Sequence, residues 1–229
     1  VAGGDGGALH GDFQAVATLI NCTIARNVAG GNTGGVRCFN TSDATLINTI
    51  LWENTDAAAS GEVAQITTDG AVLSFTSCCV EGWTGGFGGT GNSGVDPVFK
   101  VFPRLSPCSP LIDAGTNAIA GDVGANDVIG RQRFVDMPSV PDTGVGSAPL
   151  VDLGAYELQD AGCPADIAPF QSATEPNGNG MVNIDDLVAV INLFGATDDS
   201  PADITPTCGN DMVNIDDLVT VLNAFGVCP

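Results

Sequence analysis

One segment near the carboxyl end of this chain occurs twice, and this duplication limits what the region can fold into. Residues 181–195, MVNIDDLVAVINLFG, recur 31 residues later as 212–226 with changes at only three positions. Apolar residues follow one another at the three- and four-residue spacing of a helix face, and a glycine then ends the pattern. In the first copy they are Ile184, Leu187, Val188, Ile191 and Phe194, followed by Gly195. The duplication predicts two short amphipathic helices, each preceded by the same polar loop.

The loop before the first helix has oxygen-bearing residues at the spacing of a calcium loop. Calcium prefers six to eight hard oxygen ligands, one of them a bidentate carboxylate that closes the loop. We expect Asp186 to be that carboxylate. Two residues are candidates for the first ligand: Glu175 has the right spacing, and Asp166 lies in an AlaAspIle segment that recurs at 202–204. The intervening candidate ligands are Asn177, Asn179, the Met181 carbonyl and Asn183, with Gly180 at the sharp turn.

The second copy offers a similar but less regular set of ligands. Asp211 stands where glycine is expected, and Cys208 stands where an oxygen ligand is expected. The alternative role of the closing carboxylates is to cap the helices, but a cap alone does not require duplicated Asn-rich loops. The sequence therefore predicts two bound calcium ions as cofactors. The candidate ligands of the second ion are Asp203, Asn210, the Met212 carbonyl, Asn214 and Asp217.

The first half of the chain contains a looser repeat. ThrLeuIleAsn at 18–21 returns 27 residues later at 45–48, and a third copy covers 73–82, about 29 residues further on. Short apolar strands that recur with a period in the twenties, separated by Gly-rich turns, predict a parallel β-solenoid. In such a coil Leu19 stacks on Leu46 and Asn21 on Asn48, and the stacked amides form a ladder.

Further segments make a resemblance specific. DPVF at 96–99, LSPCSPLIDAG at 105–115, GRQRFVD at 130–136 and VDLGAYE at 151–157 resemble, in this order, the end segment of right-handed parallel β-helix proteins on bacterial surfaces. The region from about Cys163 resembles the compact, planctomycete-like type I dockerin modules. The resemblances imply a mainly β fold: a short right-handed parallel β-helix of about three coils at 1–95, its C-terminal extension at 96–160, and a small α-helical dockerin-like module at 161–229.

Dockerin resemblance implies docking to cohesin domains. In that family the residues just before the last calcium ligand help to recognise the partner, and here they are Ile184, Asp185, Ile215 and Asp216. Because these residues are duplicated, two docking orientations are expected. The alternative is that Ile184 and Ile215 are buried between the two helices.

Composition limits the compartment and the partners. Six basic residues face 27 acidic ones, and the formal net charge of −21 disfavours nucleic acid and anionic lipid. No apolar run approaches the roughly 18 residues that span a bilayer. Eight cysteines without a CxxC pair, beside a single histidine, favour disulfides over zinc and predict an extracellular or cell-surface location.

The repeat register also predicts how the cysteines pair. Cys22 and Cys78 lie two coils apart, roughly 9.6 Å at the spacing of neighbouring strands, which is too far for a disulfide. The expected bonds are instead Cys22–Cys38, Cys78 or Cys79 with Cys108, and Cys163–Cys228.

Nothing in the sequence groups residues for catalysis, so we predict that the chain is not an enzyme. Arg131 and Arg133 are expected to form ion pairs with Asp136 or Asp152, and His10 is expected at the surface. Asn21 and Asn40 match the glycan acceptor pattern. Asn21 should point into the stack, which makes Asn40 the better acceptor.

The expected function is a non-catalytic extracellular structural protein, a calcium-stabilised subunit of a self-assembling surface or fibrous structure. The first coil begins without a visible cap, so either the natural protein is longer or another copy covers the edge near residues 8–20. The alternatives are a β-helix protein docked onto a cohesin partner and a β-helix carbohydrate-active protein, and glycans are a further candidate partner.

Overall fold

The computed structural model describes residues 2–58, 60–100, 102–118, 124–137, 140–159, 163–168, 179, 181–197, 200–205 and 209–227. The chain divides into two compact units. Unit 1 consists of Val1–Pro97 and Pro110–Glu157, and unit 2 consists of Val98–Ser109 and Leu158–Pro229. Residues 98–109, expected in the extension at 96–160, thus belong to the unit that contains the duplicated segment.

Unit 1 is mainly β. Its elements are β1 (Leu9–Gly11), β2 (Val16–Ile20), β3 (Thr23–Ala25), β4 (Val36–Phe39), β5 (Asp43–Ile47), β6 (Ile50–Trp52), a short helix α1 (Glu62–Gln65), β7 (Ile66–Asp69), β8 (Val72–Thr76) and β9 (Cys79–Val80). The strands form three parallel three-stranded sheets with the orders β1-β4-β7, β2-β5-β8 and β3-β6-β9. The chain therefore visits the three sheets in turn and makes three such passes.

The register between passes matches the sequence repeat. Leu19 pairs with Leu46, 27 residues later, and Leu46 pairs with Phe75, 29 residues later. These side chains point inward, where alternating strand residues form the core of unit 1. The predicted stacking of Leu19 on Leu46 is therefore confirmed. The buried apolar residues of this core include Ile24, Val36, Leu46, Leu51, Ile66, Phe75 and Val80.

Asparagine marks one corner of each of the first two passes. Asn21 and Asn48 have left-handed backbones, with φ of 51° and 49°, and Ser77 takes the same conformation in the third pass. Asparagine tolerates this region better than most residues because its short polar side chain bonds locally. Asn48 Nδ2 donates to Asn21 Oδ1 at 3.0 Å, so the predicted amide ladder is confirmed between these two residues. Asn21 is buried, as predicted, and Asn40 is exposed.

Residues 110–157 pack against the passes through buried polar groups. Asn48 Oδ1 accepts the Thr116 N–H at 2.7 Å, and Asn48 Nδ2 also donates to the Thr116 carbonyl at 3.0 Å. Gly154 N–H donates to the Asn48 carbonyl at 2.8 Å. Asn48 is therefore the residue at which the repeated passes and the later segment are joined.

A buried arginine organises the end of unit 1, with a partner that the sequence did not predict. The Arg133 guanidinium lies 4.0 Å from Glu157 and donates to the carbonyls of Gly154 and Ala155. Burial and the neighbouring Asp152 carboxylate raise the pKa of Glu157 to about 9, and Arg133 acts in the opposite direction. The sequence predicted an ion pair of this arginine with Asp136 or Asp152. The ion pair found is Arg133 with Glu157. Burial lowers the pKa of Arg133, and the nearby Asp152 carboxylate raises it.

The cysteines of unit 1 do not pair as expected. Cys22, Cys38, Cys78 and Cys79 are free thiols, so the predicted bonds Cys22–Cys38 and Cys78 or Cys79 with Cys108 are wrong. Cys22 lies between β2 and β3 in the first pass, whereas Cys38 lies within β4 in the second pass. The prediction that Cys22 and Cys78 do not pair with each other is confirmed. In unit 2, Cys108 and Cys163 each form a disulfide bond. Cys228, the expected partner of Cys163, lies outside the described residues.

These thiols should be inert in the folded protein. Burial raises the pKa of Cys78 to about 11 and that of Cys79 to about 12, from 9.0. A rise of two units lowers the thiolate fraction about 100-fold near neutral pH. Alkylation with iodoacetamide followed by peptide mapping should leave both residues unmodified until denaturant is added. The half-buried Cys22 is the internal comparison and should be alkylated faster than Cys78 and Cys79 in the folded protein. Rapid labelling of Cys78 before denaturation would contradict the packing described.

Unit 2 is built from two equivalent halves. The helices α2 (Ile184–Asn192) and α3 (Ile215–Asn223) pack together, and β10 (Met181–Val182) pairs antiparallel with β11 (Gly226–Val227). Val182 lies opposite Gly226, and Val213 exchanges backbone hydrogen bonds with Gly195 and Ala196 at 2.7 and 2.9 Å. The polar loop of each half is thus tied to the residues that follow the helix of the other half.

Candidate calcium loops and helix faces

Asp186 fixes the first loop to the start of α2. Its carboxylate is fully buried, and Oδ1 accepts the N–H groups of Ile167 and Ala168, both at 2.7 Å. Oδ2 accepts the Asn183 N–H at 2.8 Å, and the Asn183 side chain in turn accepts the Asp185 N–H. This reciprocal arrangement is a capping box. The cap predicted as the alternative role of Asp186 is therefore present.

Asp166 is brought to the same loop from the preceding segment. Its two oxygens accept the Asn179 N–H at 2.9 and 3.1 Å, and Asn179 Oδ1 accepts the Met181 N–H at 3.1 Å. Asn183 Nδ2 donates to the Met181 carbonyl at 3.3 Å. The structure thus gathers the described candidate ligands Asp166, Asn179, Met181, Asn183 and Asp186. Glu175 and Asn177 lie outside the described residues.

The second loop repeats this geometry closely. Asp217 Oδ1 accepts the N–H groups of Ile204 and Thr205 at 2.8 Å, and Oδ2 accepts the Asn214 N–H at 2.8 Å. Asp203 accepts the Asn210 N–H at 2.9 and 3.0 Å, the counterpart of the Asp166 contact in the first loop. Two further hydrogen bonds match those of the first loop: the Met212 N–H donates to Asn210 Oδ1, and Asn214 Nδ2 donates to the Met212 carbonyl.

The departure of the second loop from the usual pattern is accommodated by backbone conformation. Asp211, which stands where glycine is expected, has a left-handed φ of 61°. Aspartate is one of the few residues that adopt this region at modest cost. Its N–H donates to Asp203 Oδ2 at 2.8 Å, which holds the turn in place. Cys208 lies outside the described residues.

The donors of both loops fit a hard cation. Each loop supplies two carboxylates, side-chain amides and one backbone carbonyl, which are ligands of the class that calcium takes. Three of the lone-pair positions on Asp186 already accept N–H groups, and Oδ2 keeps a second lone pair. A cap and a cation ligand are therefore compatible roles for this residue.

One cation of the chain already lies at the second loop. Lys100 Nζ donates to the Asp203 carbonyl at 2.7 Å. Burial lowers the pKa of Lys100, while Asp203 and Asp217 act in the opposite direction. The positive charge offsets part of the negative charge of this loop, so we expect the second loop to bind calcium more weakly than the first.

The helices have two apolar faces rather than the single face predicted. Leu187 packs against the core of unit 2 beside Ala189 and Val190, and Leu218 does the same in α3. The other apolar residues point away from this core and are exposed. The prediction that Leu187 shares a face with them is wrong, because Leu187 packs on the side of the helix where Ala189 and Val190 meet the core. The exposed residues are Ile184, Val188, Ile191 and Phe194 on and just after α2, with Ile215, Val219, Leu222 and Phe225 on and just after α3.

This exposure decides between the two expectations for the residues before the closing carboxylates. Ile184 is 58% exposed and Ile215 is 57% exposed. The alternative that they are buried between the helices is therefore wrong. Asp185 and Asp216, next to them, are also exposed.

Unit 1 has a shallow cleft beside β4 and β7. It encloses about 380 Å³ and is lined by residues that include Arg37, Asp56 and Asp69. Asp56 accepts the N–H groups of Thr33 and Ala58 at 2.9 and 2.8 Å. This carboxylate is thus engaged in holding the neighbouring turns.

Comparison with protein-family models, with curated proteins and with solved structures found no match to this chain. Within the described ranges, no helix has the length and apolar character needed to cross a membrane.

Proposed function

We propose that this chain is a non-catalytic extracellular structural protein whose unit 2 is a calcium-dependent docking module of the dockerin type. The observation that carries the proposal is the pair of equivalent, exposed apolar faces on α2 and α3. Contiguous apolar surface on a soluble protein is typical of an interaction site. The partner we propose is a cohesin-type domain, as the dockerin resemblance implies.

The two faces are equivalent in sequence and in position. In the 31-residue repeat, Ile184 corresponds to Ile215, Val188 to Val219 and Phe194 to Phe225. Either face can therefore meet the same partner surface, which supports two docking orientations. Large apolar anchors of this kind dominate interface energetics, because burial is worth about 25 cal/mol per Å² of apolar area.

Calcium would control these faces through the loops. Ile184 lies two residues before Asp186, whose carboxylate joins the loop to the first turn of α2. A cation held by the loop oxygens would offset the charge of Asp166 and Asp186, which otherwise repel each other. Binding of the cation would thus stabilise the helix start that presents the apolar face.

We further propose that unit 1 is a right-handed parallel β-helix carried by this module. The support is the succession of three sheets visited in turn, with every pass pairing in parallel with the next. Crossover connections between parallel strands are right-handed in nearly all proteins. The disulfide-bonded Cys108 and Cys163 support an oxidising, extracellular compartment.

Self-assembly is the second candidate function. The strands β1, β2 and β3 stand at the end of their sheets, and Val16 in β2 is 78% exposed. A terminal strand offers unpaired backbone groups to another strand. A second copy of the chain would cover this edge, and so would a preceding segment of a longer chain.

Titration of the full chain with purified cohesin domains from the organism that makes it tests the docking proposal. With calcium present, Ile184→Asp and Ile215→Asp should each keep binding, because one face remains. The double variant should lose at least about 100-fold in affinity, and so should the wild type with a chelator. Val128→Asp, an exposed valine of unit 1, is the matched control and should bind normally.

Two results would overturn the docking proposal. One is a double variant that binds as tightly as the wild type. The other is a wild type that binds none of the cohesin domains but forms calcium-dependent particles in sedimentation velocity. The second result would make self-assembly the leading function.

A further inference from the structure

Three carboxylates meet in unit 1, in a chain segment separate from the two loops. Asp113, Asp136 and Asp142 each bring one oxygen to within 4.8 Å of the others. Asp113 is fully buried, and the other two are exposed. The sequence did not predict this group, because Asp136 and Asp142 lie more than 20 residues after Asp113 and the three acids do not have the spacing of a calcium loop.

The buried member of the group has an unused oxygen. Asp113 Oδ2 accepts the Met137 N–H at 3.2 Å, whereas Oδ1 has no hydrogen-bond partner. A buried carboxylate oxygen that has lost its water and gained no donor is costly, so such groups are normally paired or bound to a metal. This oxygen belongs to Asp113, the buried member of the group, and the two other acids lie close to it. The arrangement therefore indicates that a positively charged partner is missing.

The backbone around Asp113 is held in place by hydrogen bonds on both sides. Its N–H donates to Asp152 Oδ1 at 2.9 Å, and its carbonyl accepts the N–H groups of Thr143 and Gly144, both at 3.1 Å. The last two bonds tie the residues just after Asp142 directly to Asp113. The approach of the two carboxylates is thus built into the backbone and does not depend on flexible surface side chains.

The charges of the group require compensation. Burial raises the pKa of Asp113, and the carboxylates of Asp142 and Asp136 raise it further. Within the described ranges, the ion pairs are Arg26 with Glu53, Arg37 with Asp5, and Arg133 with Glu157, and none of them includes an acid of this group. A cation from solution would supply the charge that the chain itself does not bring.

We propose that Asp113, Asp136 and Asp142 bind a divalent cation of the calcium class. The group offers only carboxylate oxygens, which suit calcium and magnesium and not the metals that favour nitrogen or sulfur. Two exposed carboxylates and one buried carboxylate leave room for water ligands and a flexible geometry, which favours calcium. The cation would fasten the segment that carries Asp136 and Asp142 onto the buried Asp113.

Counting bound ions in the full chain tests this site whether or not the loops of unit 2 bind calcium. After equilibrium dialysis against buffered calcium, elemental analysis of Asp142→Asn should find one ion fewer per chain than the wild type. Asp69→Asn, an exposed acid outside the group, should bind as many ions as the wild type. Equal ion counts in Asp142→Asn and the wild type would overturn the proposal.

Tryptophan fluorescence gives a second readout confined to unit 1, because Trp52 and Trp83, the two tryptophans of the chain, both lie there. Calcium should raise the wild-type unfolding midpoint followed by this signal and leave the midpoint of Asp142→Asn unchanged. Without calcium, Asp113→Asn should unfold at a higher temperature than the wild type, since it removes a buried charge. A calcium-independent wild-type midpoint would show that the carboxyl groups share a proton and hold no metal.

Discussion

Removing calcium should unfold unit 2 at temperatures at which unit 1 stays folded. The helices α2 and α3 have nine residues each, too few to persist without tertiary support. The loops that precede them place Asp166 beside Asp186 and Asp203 beside Asp217, and these charges repel when no cation is bound. A cation present at roughly 100 times its Kd stabilises the folded form by about 2.7 kcal/mol per site. Circular dichroism of the helices, recorded during a melt with and without chelator, measures this effect.

Two substitutions of Asp186 separate its role as a cap from its role as a ligand. Asp186→Ala removes the acceptor of three backbone N–H groups, and each buried group left unsatisfied costs about 1–3 kcal/mol. This variant should unfold unit 2 even with calcium. Asp186→Asn keeps one accepting oxygen but turns an NH2 group toward at least one of these N–H groups. It should therefore melt below the chelated wild type and above Asp186→Ala, and lose most of the gain from calcium. Asp185→Ala, an exposed acid one residue earlier, should respond to calcium as the wild type does. A full calcium response in Asp186→Asn would reduce Asp186 to a helix cap.

The sequence predicted the register of unit 1 because identical residues recur where identical positions are needed. Leu19 and Leu46 fill the same layer of the core, and Asn21 and Asn48 make the same left-handed corner. The third pass could be placed only loosely, since Phe75 and Ser77 replace the leucine and asparagine of the earlier copies. Where composition changes, the period alone locates a strand only to within a residue or two.

The duplicated loops were predictable in the same way, but the division of the helix faces was not. Helical spacing places Ile184, Leu187 and Val188 near one another without saying which of them meets the core. The division depends on Ala189 and Val190, which line the interior, and on the packing of Leu187 beside them. Those contacts involve residues from the other half of unit 2, so the local pattern could not determine them.

Long-range polar contacts were the part of unit 1 that sequence reasoning missed. Arg133 bonds to carbonyls more than 20 residues away, and Asp113 meets acids from a later segment. The disulfides of unit 1 were predicted wrongly for the same reason, because the sequence alone does not show which cysteines meet in space. Cys22 and Cys38 are 16 residues apart, yet Cys22 follows β2 whereas Cys38 lies within β4, and both are free thiols. Proximity along a repeat therefore did not predict disulfide pairing.

Replacing Asn48 by alanine should destabilise unit 1 far more than the same change at the exposed Asn40. The side chain is fully buried, and its donor and acceptor atoms bond to Asn21 and to both backbone groups of Thr116. Alanine would leave the Thr116 N–H and the facing oxygens without partners and would create a small cavity. At about 1–3 kcal/mol for each unsatisfied group, we expect a loss of roughly 3–5 kcal/mol in the free energy of unfolding. Urea denaturation followed by tryptophan fluorescence measures it.

Two further variants test whether the loss of stability comes from the hydrogen bonds of the Asn48 side chain. Asn40→Ala is the matched control, because Asn40 is exposed and its side chain bonds only to the exposed Asp12. Asn40 and Asn48 share a left-handed backbone, with φ of 51° and 49°, so alanine meets the same strain at both positions. Asn40→Ala should cost only this strain, about 1–2 kcal/mol. Asn48→Asp keeps the acceptor for the Thr116 N–H but loses the donor and turns a charged oxygen toward Asn21 Oδ1 and the Thr116 carbonyl. We therefore expect it to destabilise unit 1 at least as much as alanine does at neutral pH and less at acidic pH, where the carboxyl group can donate. An Asn48→Ala variant that unfolds like Asn40→Ala would show that the passes and residues 110–157 hold together without this amide.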